Sequence, residues 1–236
     1  MRESSPSEEI QMIEINEIYS APQGEGRMLG VPSVFIRTHR CPVHCSWCDT
    51  PYTWDKSESG YQVEVDDLVA QVIDDFEGIN HVVWTGGEPL VQKALPYAIR
   101  KLSALGYSHE IETSAAILPR NIDEWIGLSA HFNLSPKLQS AEPKIKPDAS
   151  ILRRFYDLTE SSFKLVIKDD DDLVEALELL SNIGNVEKSR VILMPCGTTR
   201  DEISSGLRWL IPKAIKLGFR VTTRMHVTAF GELRGK

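Results

Sequence analysis

The sequence lacks a long apolar run, and this absence argues against a membrane-spanning helix. No stretch approaches the roughly 18 consecutive apolar residues that such a helix needs, although 42% of the 236 residues are hydrophobic. The polar opening, MRESSPSEEIQ, also lacks the apolar core of a signal peptide. We therefore expect a cytoplasmic protein that does not contact a membrane.

An excess of positive charge is also missing. The chain carries 26 Lys and Arg against 34 Asp and Glu, for a formal net charge of −8. Binding to nucleic-acid phosphates or to anionic lipids depends on clustered basic residues. The composition therefore argues against nucleic acid as a partner. It does not exclude a small basic pocket.

Cysteine is scarce, but its placement is informative. The chain has 4 cysteines, and Cys41, Cys45 and Cys48 all lie in RCPVHCSWCDT. In a reducing cytosol, clustered cysteines indicate metal binding or catalysis rather than disulfides. A structural zinc site normally has four protein ligands, and His39 or His44 would supply the fourth. A zinc-binding interaction module is therefore one hypothesis for this chain.

An iron–sulfur cluster fits three closely spaced thiolates better than zinc does. A cluster of four irons takes four cysteine ligands as its full set. Three ligands leave one iron free to bind a small molecule. Cys196 is the remaining cysteine, and it reads more simply as a small residue at the end of a strand.

Helix and strand patterns alternate along most of the chain, which indicates parallel βαβ units. The units are too few for a complete eight-unit barrel. We predict an α/β fold: an incomplete (β/α) barrel of about six to seven mostly parallel strands.

Residues 1–9 are expected to be a loosely held tail, and residues 10–236 a single domain. Strands are predicted at 10–19, 32–38, 81–85, 108–114, 130–137, 162–168, 190–195 and 219–227, and helices at 63–76, 90–106, 149–158, 169–184 and 202–218.

Three motifs carry a resemblance to a known family. CPVHCSWC matches the CxxxCxxC motif of the radical SAM superfamily, and WTGGEP follows an apolar strand, as it does in that superfamily. The run from QGEG through FIR to CDT resembles the 7-carboxy-7-deazaguanine synthase family more closely. The resemblance continues through IETS and NLSPK and weakly to RMHV.

The resemblance implies a radical SAM partial barrel, usually paired as a homodimer. It implies conversion of 6-carboxy-5,6,7,8-tetrahydropterin to 7-carboxy-7-deazaguanine, with loss of ammonia, on the route to queuosine. The cofactors implied are a 4Fe-4S cluster, S-adenosylmethionine and Mg²⁺. A flavodoxin-like protein is the usual electron donor.

The resemblance also assigns roles to individual residues. Glu25 is expected near the magnesium ion or exposed to solvent, and His226, near the end of the last predicted strand, is a possible substrate-facing residue. The remaining assignments are as follows: cluster ligands Cys41, Cys45 and Cys48; magnesium ligand Thr50; neighbours of S-adenosylmethionine Trp47, Cys48, Asp49, Gly87, Ser135, Pro136 and Lys137; substrate contacts Pro22, Gln23, Gly24, Arg37 and Thr85.

Two positions depart from the pattern of the family. Arg40 precedes the first cysteine, and Ala115 follows IETS, where the family usually has glycine. A glycine before the cysteines suits a tight turn, so the loop is expected to differ there. Another radical SAM enzyme, such as a glycyl-radical activase, is the alternative within the superfamily.

Overall fold

The computed structural model describes residues 11–119, 122–231 and 233–235, and a single sheet of nine strands lies at its centre. The predicted tail, residues 1–9, lies outside the described residues. The strands are β1 (Met12–Pro22), β2 (Pro32–Thr38), β3 (Tyr61–Glu64), β4 (His81–Gly86), β5 (Ser108–Thr113), β6 (Ala130–Leu134), β7 (Glu160–Ile167), β8 (Val191–Pro195) and β9 (Arg220–Val221).

The sheet is open and mostly parallel. Its spatial order is β3-β1-β2-β4-β5-β6-β7-β8-β9. From β2 to β9 every neighbouring pair is parallel, whereas β1 pairs antiparallel with both β2 and β3. The predicted incomplete barrel is confirmed. The sheet has nine strands rather than about six to seven, and the strand that the sequence did not predict is the short edge strand β3.

Helices connect most of the parallel strands, and the last helix follows β9. They are α1 (Val65–Asp75), α2 (Leu95–Ala104), α3 (Ala149–Leu158), α4 (Asp170–Ile183), α5 (Arg200–Leu217) and α6 (Met225–Phe230). Two predicted helices are shorter than expected. The helix predicted from residue 63 begins at Val65, because Val63 pairs with Ile13 in the sheet. The helix predicted over 90–106 is preceded by a separate 3-10 turn at Pro89–Val91.

The two faces of the sheet differ in chemistry. Alternate strand residues such as Val82, Ile111, Phe132 and Leu165 belong to the main hydrophobic core. The residues between them include polar side chains on the inner, concave face of the partial barrel. Examples are Glu110, Glu112, Asn133, Ser162 and Lys164. The open end of this inner face forms the candidate site.

The strand predicted over 219–227 is wrong beyond Val221. The Thr222 N–H still donates to the Leu193 carbonyl of β8 at 2.9 Å, but the Thr222 hydroxyl accepts a hydrogen bond from the Gly26 N–H at 2.9 Å, and the chain leaves the sheet there. The Met225 N–H then donates to the Gly24 carbonyl at 2.8 Å, and α6 begins there. His226 therefore lies on a short helix rather than on a strand. Among the described residues, no helix is both long and apolar enough to cross a membrane.

Candidate active site

One cavity of about 740 Å³ opens at the carboxyl ends of the parallel strands. This is where ligands bind in open α/β sheets. The cavity brings together nearly all the residues singled out in the sequence: Pro22, Gln23, Gly24, Arg37, Cys41, Cys45, Trp47, Cys48, Asp49, Thr50, Thr85, Gly87, Ser135, Lys137 and His226. Pro136 is buried and does not line the cavity, because the chain turns its two neighbours toward the cavity instead.

The three clustered cysteines lie in the loop that follows β2. This loop is fixed from behind by the segment around Ala141. The Ser46 N–H donates to the Ala141 carbonyl at 2.8 Å, and the Lys144 N–H donates to the Val43 carbonyl at 2.8 Å. Val43, Cys45 and Ala141 form a small buried apolar cluster. The loop is therefore held in place by backbone hydrogen bonds and by apolar packing in which Cys45 itself takes part.

The donor set fits an iron–sulfur cluster. Three thiols surround a cavity rather than a point: in the part of the chain that is described, no three His, Cys, Asp or Glu residues converge on a position for one metal ion. Burial raises the pKa of Cys41 to about 11 and also raises the pKa of Cys45. These thiols therefore need a strongly positive centre to become thiolates, and iron supplies one. The Trp54 indole donates to Cys48 Sγ at 3.5 Å.

Gly87 allows the cluster loop to lie against the GGEP turn. A Cβ at Gly87 would lie 2.1 Å from the Arg40 carbonyl oxygen, so no other residue fits. That carbonyl accepts the Glu88 N–H at 2.8 Å. The Glu88 carboxylate is buried and accepts hydrogen bonds from Thr113 and from both the N–H and the hydroxyl of Ser114. Glu88 thus fastens the turn to the end of β5 at the wall of the cavity.

Both departures from the family pattern occupy left-handed backbone. Arg40 has a φ of 74° and Ala115 a φ of 49°. Glycine is the residue that adopts this region without a steric penalty. The loop before Cys41 therefore keeps a conformation that suits glycine, even though it carries arginine. The Arg40 side chain is largely exposed and forms an ion pair with Glu14 at 2.6 Å.

Arg37 lines the cavity, but its charge is already paired. Its Nε donates to Glu17 at 2.5 Å, and its Nη2 donates to the Tyr19 hydroxyl at 2.7 Å. The remaining donors of its fork are the ones available to an anion. The sequence did not indicate this pairing, because Glu17 is twenty positions away on the neighbouring strand.

The inner face of the sheet carries a buried network of charges. Lys164 donates to Glu112 at 2.6 Å and to Glu25 at 2.7 Å. Gln23 donates to Glu110 at 2.8 Å. Burial acts to raise the pKa of Glu25, but Lys164 and Arg224 hold it well below its usual range. Glu112 behaves differently: burial, with Glu110 and Glu25 nearby, raises its pKa.

A wall that includes Arg224 and His226 closes the side of the cavity that lies next to the glycine-rich loop. Gly24 contacts this wall so closely that a Cβ there would lie 2.0 Å from His226 Nδ1. Burial lowers the pKa of His226, and Glu25 opposes this effect. His226 is therefore a cavity-lining imidazole that favours its neutral form.

The comparisons with known proteins agree with this geometry. A model of the radical SAM superfamily matches residues 35–210, well over half of the chain. A 7-carboxy-7-deazaguanine synthase from Pyrobaculum aerophilum is 36% identical over 227 residues, covering 95% of this chain and 97% of that protein. The chain belongs to the 7-carboxy-7-deazaguanine synthase family. A member from Halobacterium salinarum is 32% identical, covering 98% of this chain and 95% of that protein.

A solved structure of this family has the same fold. The crystal structure of QueE from Escherichia coli matches with a TM-score of 0.73 and 28% identity, covering 91% of this chain and 95% of that chain. Membership in the 7-carboxy-7-deazaguanine synthase family sets aside both the glycyl-radical activase and the zinc-binding interaction module.

Three charged residues that line the cavity were not singled out in the sequence. They are Glu112, Lys164 and Arg224, and all three line the cavity. A signal for two of them was present. SHEIETS and SFKLVIK are predicted strands that place charged residues at alternate positions, which indicates a polar inner face. Arg224 lay in a segment predicted as strand, and nothing in that pattern distinguished it.

Proposed function

We propose that this chain converts 6-carboxy-5,6,7,8-tetrahydropterin to 7-carboxy-7-deazaguanine, with loss of ammonia, in 7-deazapurine biosynthesis. The proposal rests on the convergence of three sets of residues in one cavity. The residues expected for the cluster, for S-adenosylmethionine and for the pterin come from widely separated parts of the sequence, yet they line the same cavity.

The cluster side of the cavity would hold Cys41, Cys45 and Cys48 as ligands. When bound there, the cluster and S-adenosylmethionine would supply the radical chemistry that hydrogen abstraction from the substrate requires. Gly87, which lines the cavity and lets the cluster loop lie against the GGEP turn, would border the methionine end of the cofactor. Lys137, whose ammonium donates to the Ser135 hydroxyl at 3.1 Å, would border the cofactor on the other side.

The substrate side would hold the pterin by hydrogen bonds. The Gln23 amide and the backbone of Pro22 and Gly24 offer the donors and acceptors that match a pterin edge. Arg37 has guanidinium donors left for the carboxylate, and Thr85 lies at the end of β4 beside it. The buried Glu112 offers a carboxylate to the donor groups of the pterin.

Thr50 is the proposed protein ligand of magnesium. Its hydroxyl lies 3.7 Å from Cys48 Sγ, at the boundary between the two sides. Magnesium is a hard cation that keeps several waters and needs few protein oxygens. A single hydroxyl with substrate oxygens and water is consistent with that preference.

The setting of the enzyme is inferred from the same chemistry. Clustered free thiols imply a reducing compartment, so we infer a cytoplasmic location. A flavodoxin-like electron donor and a homodimer are expected from the family. We also infer that residues 10–236 form a single domain, because the one sheet runs through the chain from β1 to β9.

The test is turnover by the anaerobically reconstituted protein. We expect carboxydeazaguanine only when the pterin, S-adenosylmethionine and a reductant are all present, with a higher rate in magnesium. Cys45→Ala is the control and should give neither product nor cofactor cleavage. Cleavage of S-adenosylmethionine by the wild-type protein without carboxydeazaguanine would show that the substrate assignment is wrong.

A further inference from the structure

Arg224 has an unusually complete set of partners for a residue beside a cavity. It precedes α6, and its side chain is only 12% exposed. Its Nε donates to Glu25 Oε1 at 2.8 Å, and its Nη1 donates to the Gly197 carbonyl at 2.8 Å. Its Nη2 donates to the carboxylate of Asp49. Each nitrogen of the guanidinium therefore has a different partner.

The three partners of Arg224 come from three separate segments that border the cavity. Glu25 belongs to the glycine-rich loop after β1, Asp49 to the cluster loop after β2, and Gly197 to the loop after β8. A guanidinium holds its donors in a rigid plane, so it fixes the relative positions of all three. An ammonium is a point charge on a flexible stem and cannot reproduce that geometry.

The segment that carries Arg224 is itself joined to the glycine-rich loop. The Gly24 carbonyl accepts the Met225 N–H at 2.8 Å, and the Gly26 N–H donates to the Thr222 hydroxyl at 2.9 Å. His226 lies directly against Gly24. Asp49, by contrast, has a side chain that is 54% exposed. Without Arg224, no ion pair among the described residues would tie Asp49 to the substrate side.

We propose that Arg224 is a positioning residue that fixes Asp49, on the cofactor side of the cavity, relative to Glu25 and His226 on the substrate side. The inference rests on the proposed function. If Arg224 positions both sides, cofactor cleavage is coupled to substrate turnover. The amount of product formed per cofactor cleaved then depends on Arg224. A residue with a purely structural role would alter stability without altering that amount.

The experiment compares Arg224→Met and Arg224→Lys with Arg220→Met. Arg220 is exposed on β9, four positions away, and serves as the matched control. Each reconstituted protein is measured for iron content, melting temperature, S-adenosylmethionine affinity without the pterin, KM for the pterin, and product formed per 5′-deoxyadenosine. The affinity measurement does not depend on turnover.

For Arg224→Met we expect weaker cofactor affinity and a higher pterin KM, each by about tenfold, since hydrogen bonds to charged groups are lost. Product per 5′-deoxyadenosine should fall, while iron content stays at the wild-type value. Arg224→Lys should recover most of the melting temperature, because it keeps the charge, but not the product ratio. Arg220→Met should match the wild type throughout.

Two results would overturn the inference. One is a folded Arg224→Met protein with wild-type cofactor affinity, KM and product ratio. The other is complete recovery of all three by Arg224→Lys, which would mean that charge alone suffices; this arm decides the question if the Met variant does not fold. If wild-type protein makes no carboxydeazaguanine but Arg224→Met still weakens cofactor binding, the proposed function fails and the positioning of Asp49 stands.

Discussion

The outer and inner faces of this sheet are made by neighbouring residues with opposite chemistry. On β5, Ile111 belongs to the hydrophobic core, while Glu110 and Glu112 on either side of it point into the partial barrel. Buried carboxylates are costly unless they are paired. Here Gln23 and Lys164 provide the partners. The outer face therefore stabilises the fold, and the inner face is kept polar for ligands.

The comparison teaches how a partial barrel differs from a closed one. In a complete eight-stranded barrel the interior is filled by layers of bulky apolar side chains. This sheet is open, and its interior is wide enough for a cavity of about 740 Å³. A polar inner face is tolerated because each charged group on it has a partner of opposite charge or a hydrogen-bond donor.

The largest expected effect comes from removing the cation of the inner face. Lys164→Met leaves the buried Glu112 carboxylate without its ion pair and removes one of two cations from Glu25. Breaking a buried ion pair costs about 3–5 kcal/mol, and a protein of this size loses at least about 6 °C of melting temperature for that. Differential scanning calorimetry provides the measurement.

Lys216→Met is the control for that prediction, because Lys216 is exposed on α5. It should melt with the wild type. Equal melting of the two variants would show that the inner-face charges are hydrated rather than buried, and the contrast between the faces would be broken.

The next largest effect is a loss of stability at acid pH, and it tests the outer face of the sheet, which packs against the helices. Burial, with His81 nearby, lowers the pKa of His109 from 6.5 to about 4. Between those values the unfolded chain binds a proton that the folded chain does not, so stability falls as the pH drops. From pH 7 to pH 5 His109 should remove about 2 kcal/mol.

His109→Asn is the matched variant, since an amide oxygen can still accept from the Trp84 indole, as His109 Nδ1 does at 3.2 Å. Thermal melting at pH 7 and pH 5 should show a smaller loss for the variant than for the wild type. Equal losses would mean that His109 is not the residue responsible for acid sensitivity.

A pair of adjacent substitutions on β5 sharpens the comparison of the two faces. Glu112→Gln keeps the shape but removes an inner-face charge, and kcat/KM should fall by about tenfold, or 1.4 kcal/mol. Ile111→Val removes one outer-face methylene and should cost about 0.5–1.5 kcal/mol of stability with unchanged kcat/KM. A drop in kcat/KM for Ile111→Val at full folding would contradict the separation of roles.

The smallest expected effect is a gain in stability from a substitution just after the end of β5. Ala115→Gly should relieve the left-handed backbone at φ 49°. Part of that gain is offset by the greater freedom of glycine in the unfolded chain, so the net stabilisation is at most about 1 kcal/mol. A melting curve gives the answer, and a lower melting temperature would show that the Ala115 methyl contributes packing that outweighs the strain.

The cluster loop and the charge network differ in how far the sequence predicted them. Cys41, Cys45 and Cys48 were predicted as a set because their spacing within one short loop is itself the signal. Glu25, Lys164 and Arg224 are separated by most of the chain, and their contacts exist only once β7 and the final segment fold over the glycine-rich loop. No local pattern records such a contact.

Some predicted ends of strands and helices were wrong for a related reason. The last strand was predicted over 219–227 from its composition, but the Thr222 hydroxyl and the Met225 N–H bond to the glycine-rich loop, and α6 begins at Met225. Likewise, Val63 joined β3 because β1 offered a free edge. Local propensity cannot anticipate partners that come from the other end of the chain.

The sequence by itself determined the alternation of strands and helices, the cysteine loop, and the glycine turns that ligands and neighbouring backbone require, because each depends on residues close together in the chain. Only the tertiary structure decided which charges pair. It also decided that Arg37 shares its guanidinium with Glu17, that His226 lies on a helix, and that Arg224 joins the two sides of the cavity. Electrostatic pairing acts over a few ångströms in space, and the chain must fold before distances along the sequence become distances of that kind.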